Sequence, residues 1–194
     1  FHIVPLGRLT SALAKILEVE GPIHVDLAAR RLATAWGITR TTSKVTARFE
    51  EAAAKLESEG KGTRHGEFLY YPGFDDALVR RPAEGVQREI DEIPPEELAA
   101  CVLLVVDAYL GIAPDALVRE VGRAFGYQRL GEKIQATLEP VVASLVESGV
   151  LVREDERLRR APAAPAASDA VDADAVDADA PESAAPEPGA ASAD

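Results

Sequence analysis

The sequence holds no methionine, one cysteine, one tryptophan and three histidines in 194 residues. A chain that opens on Phe1 and lacks methionine is expected to be the C-terminal piece of a longer protein. The lone cysteine, Cys101, excludes an internal disulfide and fits a reducing, cytoplasmic compartment. It stands in an apolar run and reads as a small core residue rather than a nucleophile. One cysteine and the isolated His2, His24 and His65 cannot build a zinc cluster, and no Ser-His-Asp or Cys-His arrangement can be assembled. The longest apolar stretch, residues 99–106, is far short of the ~20 residues that span a bilayer. Residues 37–44, GITRTTSK, faintly resemble a P-loop but lack the second glycine before lysine and follow a helical pattern rather than a strand. Glu96 and Glu97 read as first-turn acids that complement a helix dipole. No catalytic residue, metal, cofactor, small-molecule ligand or membrane partner is expected of this chain.

What is present is a duplication. Residues 26–60 lie without gaps on residues 115–149, an offset of 89. Identical pairs include Asp26/Asp115, Arg30/Arg119, Gly37/Gly126, Arg40/Arg129, Lys44/Lys133, Glu50/Glu139, Leu56/Leu145 and Gly60/Gly149. Apolar character is kept at Leu32/Val121, Trp36/Phe125, Val45/Ile134 and Phe49/Leu138.

The expected fold is mainly α with short β-hairpins: tandem winged helix-turn-helix-like units and a disordered acidic tail. The first unit, 1–73, starts with a helix over 7–19 that carries Leu9, Leu13, Ile16 and Leu17 on one face. A second helix starts near His24 or Asp26, either able to cap it, and Gly37 ends it. A third starts among the hydroxyls of residues 41–43, turns Val45, Phe49 and Leu56 inward with Trp36, and closes at Gly60. A hairpin follows, with Phe68 and Tyr70 alternating against Leu69 and Tyr71. Residues 74–93 read as a linker with one helical turn near its end.

The second unit, 94–160, opens at Pro94-Pro95. Its first helix is apolar on most sides and is expected to be the most buried element. Its core is expected around Val121, Phe125, Ile134, Leu138 and Leu145. Pro140, standing where the first copy has Glu51, predicts a kink or break in the last helix. Residues 161–194 hold eight acids, no base and no large apolar side chain, which predicts disorder.

Charge separates the halves. Residues 1–81 carry 12 bases and 10 acids; residues 82–160 carry 9 and 15. Only the first unit is balanced for nucleic acid. There Arg40, Thr42, Ser43, Lys44 and Arg48 mark the turn and first half of the third helix, where winged helices meet DNA, with Lys61 and Arg64 on the wing. These are the expected nucleic-acid-binding residues. In the second copy Arg129 and Lys133 are opposed by Glu132 and the acidic turn 154–156.

The tracts EGPIHVDLAARRLATAWGITRTTSKV, REIDEIPPEELAACVL and AFGYQRLGEKI resemble a C-terminal domain of unknown function attached to large bacterial superfamily-one helicase-like proteins. The resemblance covers roughly residues 9–158. It implies a bacterial, cytoplasmic parent with a helicase ATPase core and, in many members, a restriction-endonuclease-like domain upstream. Under it this chain would be a non-catalytic accessory module that contacts DNA through its first unit and packs beside the rest of its parent. The alternative is a protein-interaction or scaffolding module.

Overall fold

The computed structural model describes residues 1–74, 78–83 and 87–162. The chain divides into a compact unit, Phe1–Ala161, and a second, Pro162–Asp194. The expected disorder of residues 161–194 falls, past Pro162, outside the described residues.

Helix α1 (Leu6–Glu20) buries Leu9, Thr10, Leu13 and Leu17, the stripe that its i, i+4 spacing dictates. A short strand, β1 (Ile23–His24), leads into α2 (Val25–Thr34), where the His24 imidazole accepts from the Asp26 amide. The end of α2 is closed by Gly37, at φ 71, through bonds from Gly37 N–H to the Thr34 carbonyl and from Ile38 N–H to the Ala33 carbonyl. A glycine is needed there because the left-handed conformation crowds a Cβ. Helix α3 (Ser43–Ser58) buries Val45, Phe49, Ala52, Ala53 and Leu56, and Thr42 stands at its N-cap without a side-chain capping bond. Strands β2 (Thr63–His65) and β3 (Phe68–Tyr70) complete a three-stranded antiparallel sheet in the order β1-β3-β2.

A 3-10 turn at Ile90–Glu92 precedes α4 (Pro95–Tyr109), α5 (Pro114–Ala124) and α6 (Glu132–Glu147). Strands β4 (Leu151–Glu154) and β5 (Arg157–Arg160) form a hairpin closed by two residues, Asp155 and Glu156, both at positive φ. That pairing of positive φ values matches the twist of the strands. Two apolar cores result. One gathers Leu9 through Leu69 under α1, α2 and α3; the other gathers Ile90 through Leu158 under α4, α5 and α6.

Five expectations need correction. Trp36 is only half-buried, packed at the rim of the first core against the Phe1 ring, 6.1 Å away and nearly perpendicular. It follows the last turn of α2, so the helical register that carries Ala28 and Leu32 inward no longer holds for it. Leu145, expected in the second core, is likewise only partly buried against it. Phe68, Leu69 and Tyr70 are all buried instead of alternating. β3 is the central strand, and the faces left over are covered by the His24 ring on Phe68 and by Phe74 on Tyr70. Helix α4 is apolar on most sides, yet α5, α6 and β5 cover only part of it, leaving Leu104 57%, Tyr109 54% and Leu110 83% exposed. Finally, α6 runs unbroken through Pro140. The carbonyl deprived of its partner belongs to Ala136, and both residues are exposed, so water can take the place of the missing amide.

Candidate nucleic-acid interface

The N-terminal end of α3 follows a turn. Gly37 turns the backbone out of α2, and exposed residues 39–42, with a bend at Arg40, lead into the helix. Thr42 takes φ −106 and ψ 164, and its carbonyl accepts the Thr46 amide and hydroxyl. No side chain caps the first amides of the helix. Ser43 and Lys44, whose amides open this 16-residue helix at the positive end of its dipole, are exposed. Arg40, Thr42, Ser43 and Lys44 are all exposed around this end. Neither Arg40 nor Lys44 meets a carboxylate among the described residues.

The other three expected contacts are differently placed. Arg48 does not continue an open stripe. Its guanidinium donates to the Val4 carbonyl at 2.8 Å and pairs with Glu51, and its Nε is buried without a partner. Arg48 therefore ties α3 to the segment before α1. Lys61 pairs with Glu59 at 2.7 Å, and Glu59 is shared with Lys55 at 2.7 Å. The hydrogen bonds from Lys55 and then Lys61 hold the Glu59 carboxyl down at about 2. Arg64 donates from its backbone to Glu57, and from its side chain to Glu50 at 2.9 Å and to the Gly66 carbonyl. The wing's positive charge is thus largely matched by Glu50 and Glu57 of α3 and by Glu59 at its C-cap, whereas Arg40 and Lys44 at the helix start meet no such acid among the described residues.

In the second half, Arg129 is exposed, while Lys133 pairs with Asp91 at 3.0 Å and Glu89 at 3.7 Å. The hydrogen bond that Lys133 donates to the Asp91 carboxylate raises the Lys133 pKa. The acids that occupy Lys133 thus come from the 3-10 turn, not from Glu132 or the hairpin turn. The hairpin also carries more base than its turn suggests: Arg159 pairs with Glu154 and Arg160 with Asp107.

One cluster escaped the sequence reading. Glu97, only 1% exposed, accepts from the backbone and guanidinium of Arg80 and from both terminal nitrogens of Arg88, at 2.6–3.1 Å. Arg80 also donates to the carbonyls of Glu20 and Pro22, and Arg88 lies over the Phe125 ring. Burial pushes the Glu97 carboxyl up, but the bonds from Arg88 and Arg80 outweigh it and leave the carboxyl below its ordinary range. The available signal was Glu97 lying four residues before Cys101, on the face that α4 buries. Cys101 is buried beside it, and burial raises its thiol to about 11.

Among the described residues, no group of three or more His, Cys, Asp or Glu side chains is arranged to hold a metal ion. Nor is any described helix long and apolar enough to cross a membrane. Residues 1–47 match a family described as a protein of unknown function (DUF3320). No curated protein and no solved structure gives a significant match.

Proposed function

We propose that this chain is a non-catalytic accessory module of two winged helix-turn-helix units, which contacts DNA through its first unit beside a helicase-like parent in the cytoplasm. The tandem reading is supported by the element bounds. α1 and α4, and α3 and α6, begin and end 89 residues apart, the offset of the sequence duplication. Ile23 of β1 and Ile112, which bridges to Leu158, stand at the same offset. The winged-helix reading is supported by the order α1-β1-α2-α3-β2-β3, two helices joined by a turn and followed by a hairpin.

The observation that carries the DNA reading is the conjunction of exposed Arg40 and Lys44, which pair with no carboxylate among the described residues, with a start of α3 that no side chain of its N-cap residue closes. Phosphate oxygens are bound by such combinations of guanidinium, ammonium and helix N-terminus. Each neutralised phosphate contributes ~0.9 to the slope of log affinity against log salt. Replacing Arg40 and Lys44 with alanine is expected to flatten that slope for duplex DNA by about two units and to leave the fold intact. Arg129→Ala with Lys133→Ala should change it less, because Lys133 is already held by Asp91 and Glu89. An unchanged slope in the Arg40/Lys44 variant would remove DNA contact from this face.

A second reading, a protein-interaction module packing on the parent ATPase or a partner, is favoured by one observation. Leu104, Tyr109 and Leu110 expose apolar surface on one helix end, and Leu110 holds a left-handed conformation, φ 51, with its side chain in solvent. Serine at these three positions should weaken co-purification with the parent's ATPase portion and leave the DNA salt slope unaltered. Unimpaired co-purification would leave this patch without that role.

A further inference from the structure

A pocket of about 580 Å³ opens beside the first hairpin, where the end of β3 meets the first turn of α4. Four rings line it, those of His65, Tyr70, Tyr71 and Phe74, together with the Glu96 carboxylate. Its volume falls in the range of small-ligand sites, roughly 300–1,000 Å³. Tyr70 meets His65 at 5.2 Å and 72°, and Phe74 at 5.3 Å and 66°. Phe74 meets Tyr71 at 6.0 Å and 88°. The rings therefore stand as adjoining walls and not as a parallel pair. The Tyr70 hydroxyl donates to Glu96 Oε2 at 2.9 Å, and among the described residues no lysine or arginine lines the pocket. Burial, and then that hydrogen bond, raise the Tyr70 pKa above its ordinary value, so the ring beside the carboxylate stays neutral.

Packing alone does not account for these rings. Neither Tyr70 nor Phe74 belongs to either apolar core. The hairpin does not require them either. At the offset of 89 residues, Glu154, Arg159 and Arg160 stand in the places of His65, Tyr70 and Tyr71. Yet Val152 pairs with Arg159 across β4 and β5 as Thr63 does with Tyr70 across β2 and β3. In the second hairpin Arg159 brings a cation to the Glu154 carboxylate. The first has a carboxylate and rings, with no such cation among the residues that line its pocket.

We propose that His65, Tyr70, Tyr71, Phe74 and Glu96 form a site for an alkylated ammonium ion, supplied either by a free quaternary amine or by a methylated lysine side chain. Ring faces carry negative potential that attracts cations, and the Glu96 carboxylate adds a full charge. A bare ammonium is strongly hydrated and gives up its water reluctantly. Methylation keeps the charge and removes N–H donors, so aromatic walls cost the alkylated ion less. A nucleobase fits less well. It calls for open ring faces to stack on and basic groups for its phosphate, whereas this pocket presents crossed rings and an acid.

Calorimetric titration of the full chain with choline, and with a short peptide carrying trimethyllysine, tests the assignment. Saturable binding of at least one is expected, and the tighter of the two identifies the source as a free amine or a protein partner. The neutral tert-butyl analogue of choline, which has the same shape without the charge, should bind about tenfold more weakly than choline, and a peptide with the same neutral group in place of trimethylammonium about tenfold more weakly than the trimethyllysine peptide. Phe74→Leu keeps apolar bulk but has no ring face, so it should leave thermal stability nearly unchanged and weaken binding by a similar factor. Phe74→Trp should retain binding, which separates a ring's attraction from simple packing. Glu96→Gln, which still offers the Tyr70 hydroxyl an acceptor, should weaken binding as well. No saturable binding of either amine, equal binding of the neutral analogues, or full affinity in Phe74→Leu overturns the proposal. So does binding of oligo(dT) that Phe74→Leu abolishes while neither amine binds, which would give the pocket to an unstacked base. None of these results moves the duplex salt slope assigned to Arg40 and Lys44, which is read separately.

Discussion

Replacing Glu97 with alanine is expected to destabilise the Phe1–Ala161 unit by about 3–5 kcal/mol, the range for breaking a buried ion pair from one side. Two guanidinium groups would lose their shared carboxylate while staying fixed by other bonds, Arg80 to the carbonyls of Glu20 and Pro22 and Arg88 to that of Arg80. Their side chains are 24% and 20% exposed, so partial hydration should place the loss toward the lower end. Urea denaturation of the two proteins checks the value. Removing the whole cluster, with Glu97→Leu, Arg80→Met and Arg88→Met, should cost much less, because no charge is then stranded. If the triple variant were as unstable as Glu97→Ala, the penalty would lie in lost packing rather than uncompensated charge.

The same cluster sets a pH dependence of known sign. The folded carboxyl of Glu97 titrates below its ordinary value of 4.5, so its contribution is complete above that value and is lost as pH falls through the folded pKa. Wild-type stability should therefore drop more steeply on acidification than that of Glu97→Gln, and the gap between the two should narrow below about pH 4.5. A gap that stays constant from neutral to acid pH would mean that Glu97 is already uncharged in the folded protein.

The helices were legible because their apolar residues recur every three or four positions and their ends are marked by Gly37, Gly60, Gly126 and Gly149. All four take positive φ. The start of α3 was legible too, since its exposed hydroxyls and cations need no tertiary partner to stay where they are. What the sequence could not display was pairing across distance. Arg48 shares its helical face with Lys44 but is drawn away by a carbonyl 44 residues earlier. Arg64 and Lys61 look like free wing charges until α3 presents Glu50 and Glu57 beside the hairpin and Glu59 at its end. Residues 74–93 read as a linker because their spacing has no period. Yet Ile90 and Ile93 enter the second core, and Arg80 and Arg88 close over Glu97. Spacing reveals faces within one element, whereas such contacts depend on which other element arrives.

Phe49→Ala and Trp36→Ala are expected to differ severalfold in cost, although both remove an aromatic from the first half. Phe49 is 1% exposed and is packed in the core that α1 supplies with Leu9, Leu13 and Leu17. Alanine there loses the transfer energy of the ring and leaves a cavity that helices joined on several sides cannot collapse to fill, about 3–5 kcal/mol. For a unit of this size that is a fall in Tm of roughly 10 °C. Trp36 sits at the rim with its ring partly in water, and Phe1 beside it can move into the space it leaves. Its replacement should cost only about 1 kcal/mol, the share of burial energy belonging to a half-covered side chain. Thermal melts of the two variants decide the matter. Equal losses would mean that Trp36 is as deeply packed in solution as Phe49.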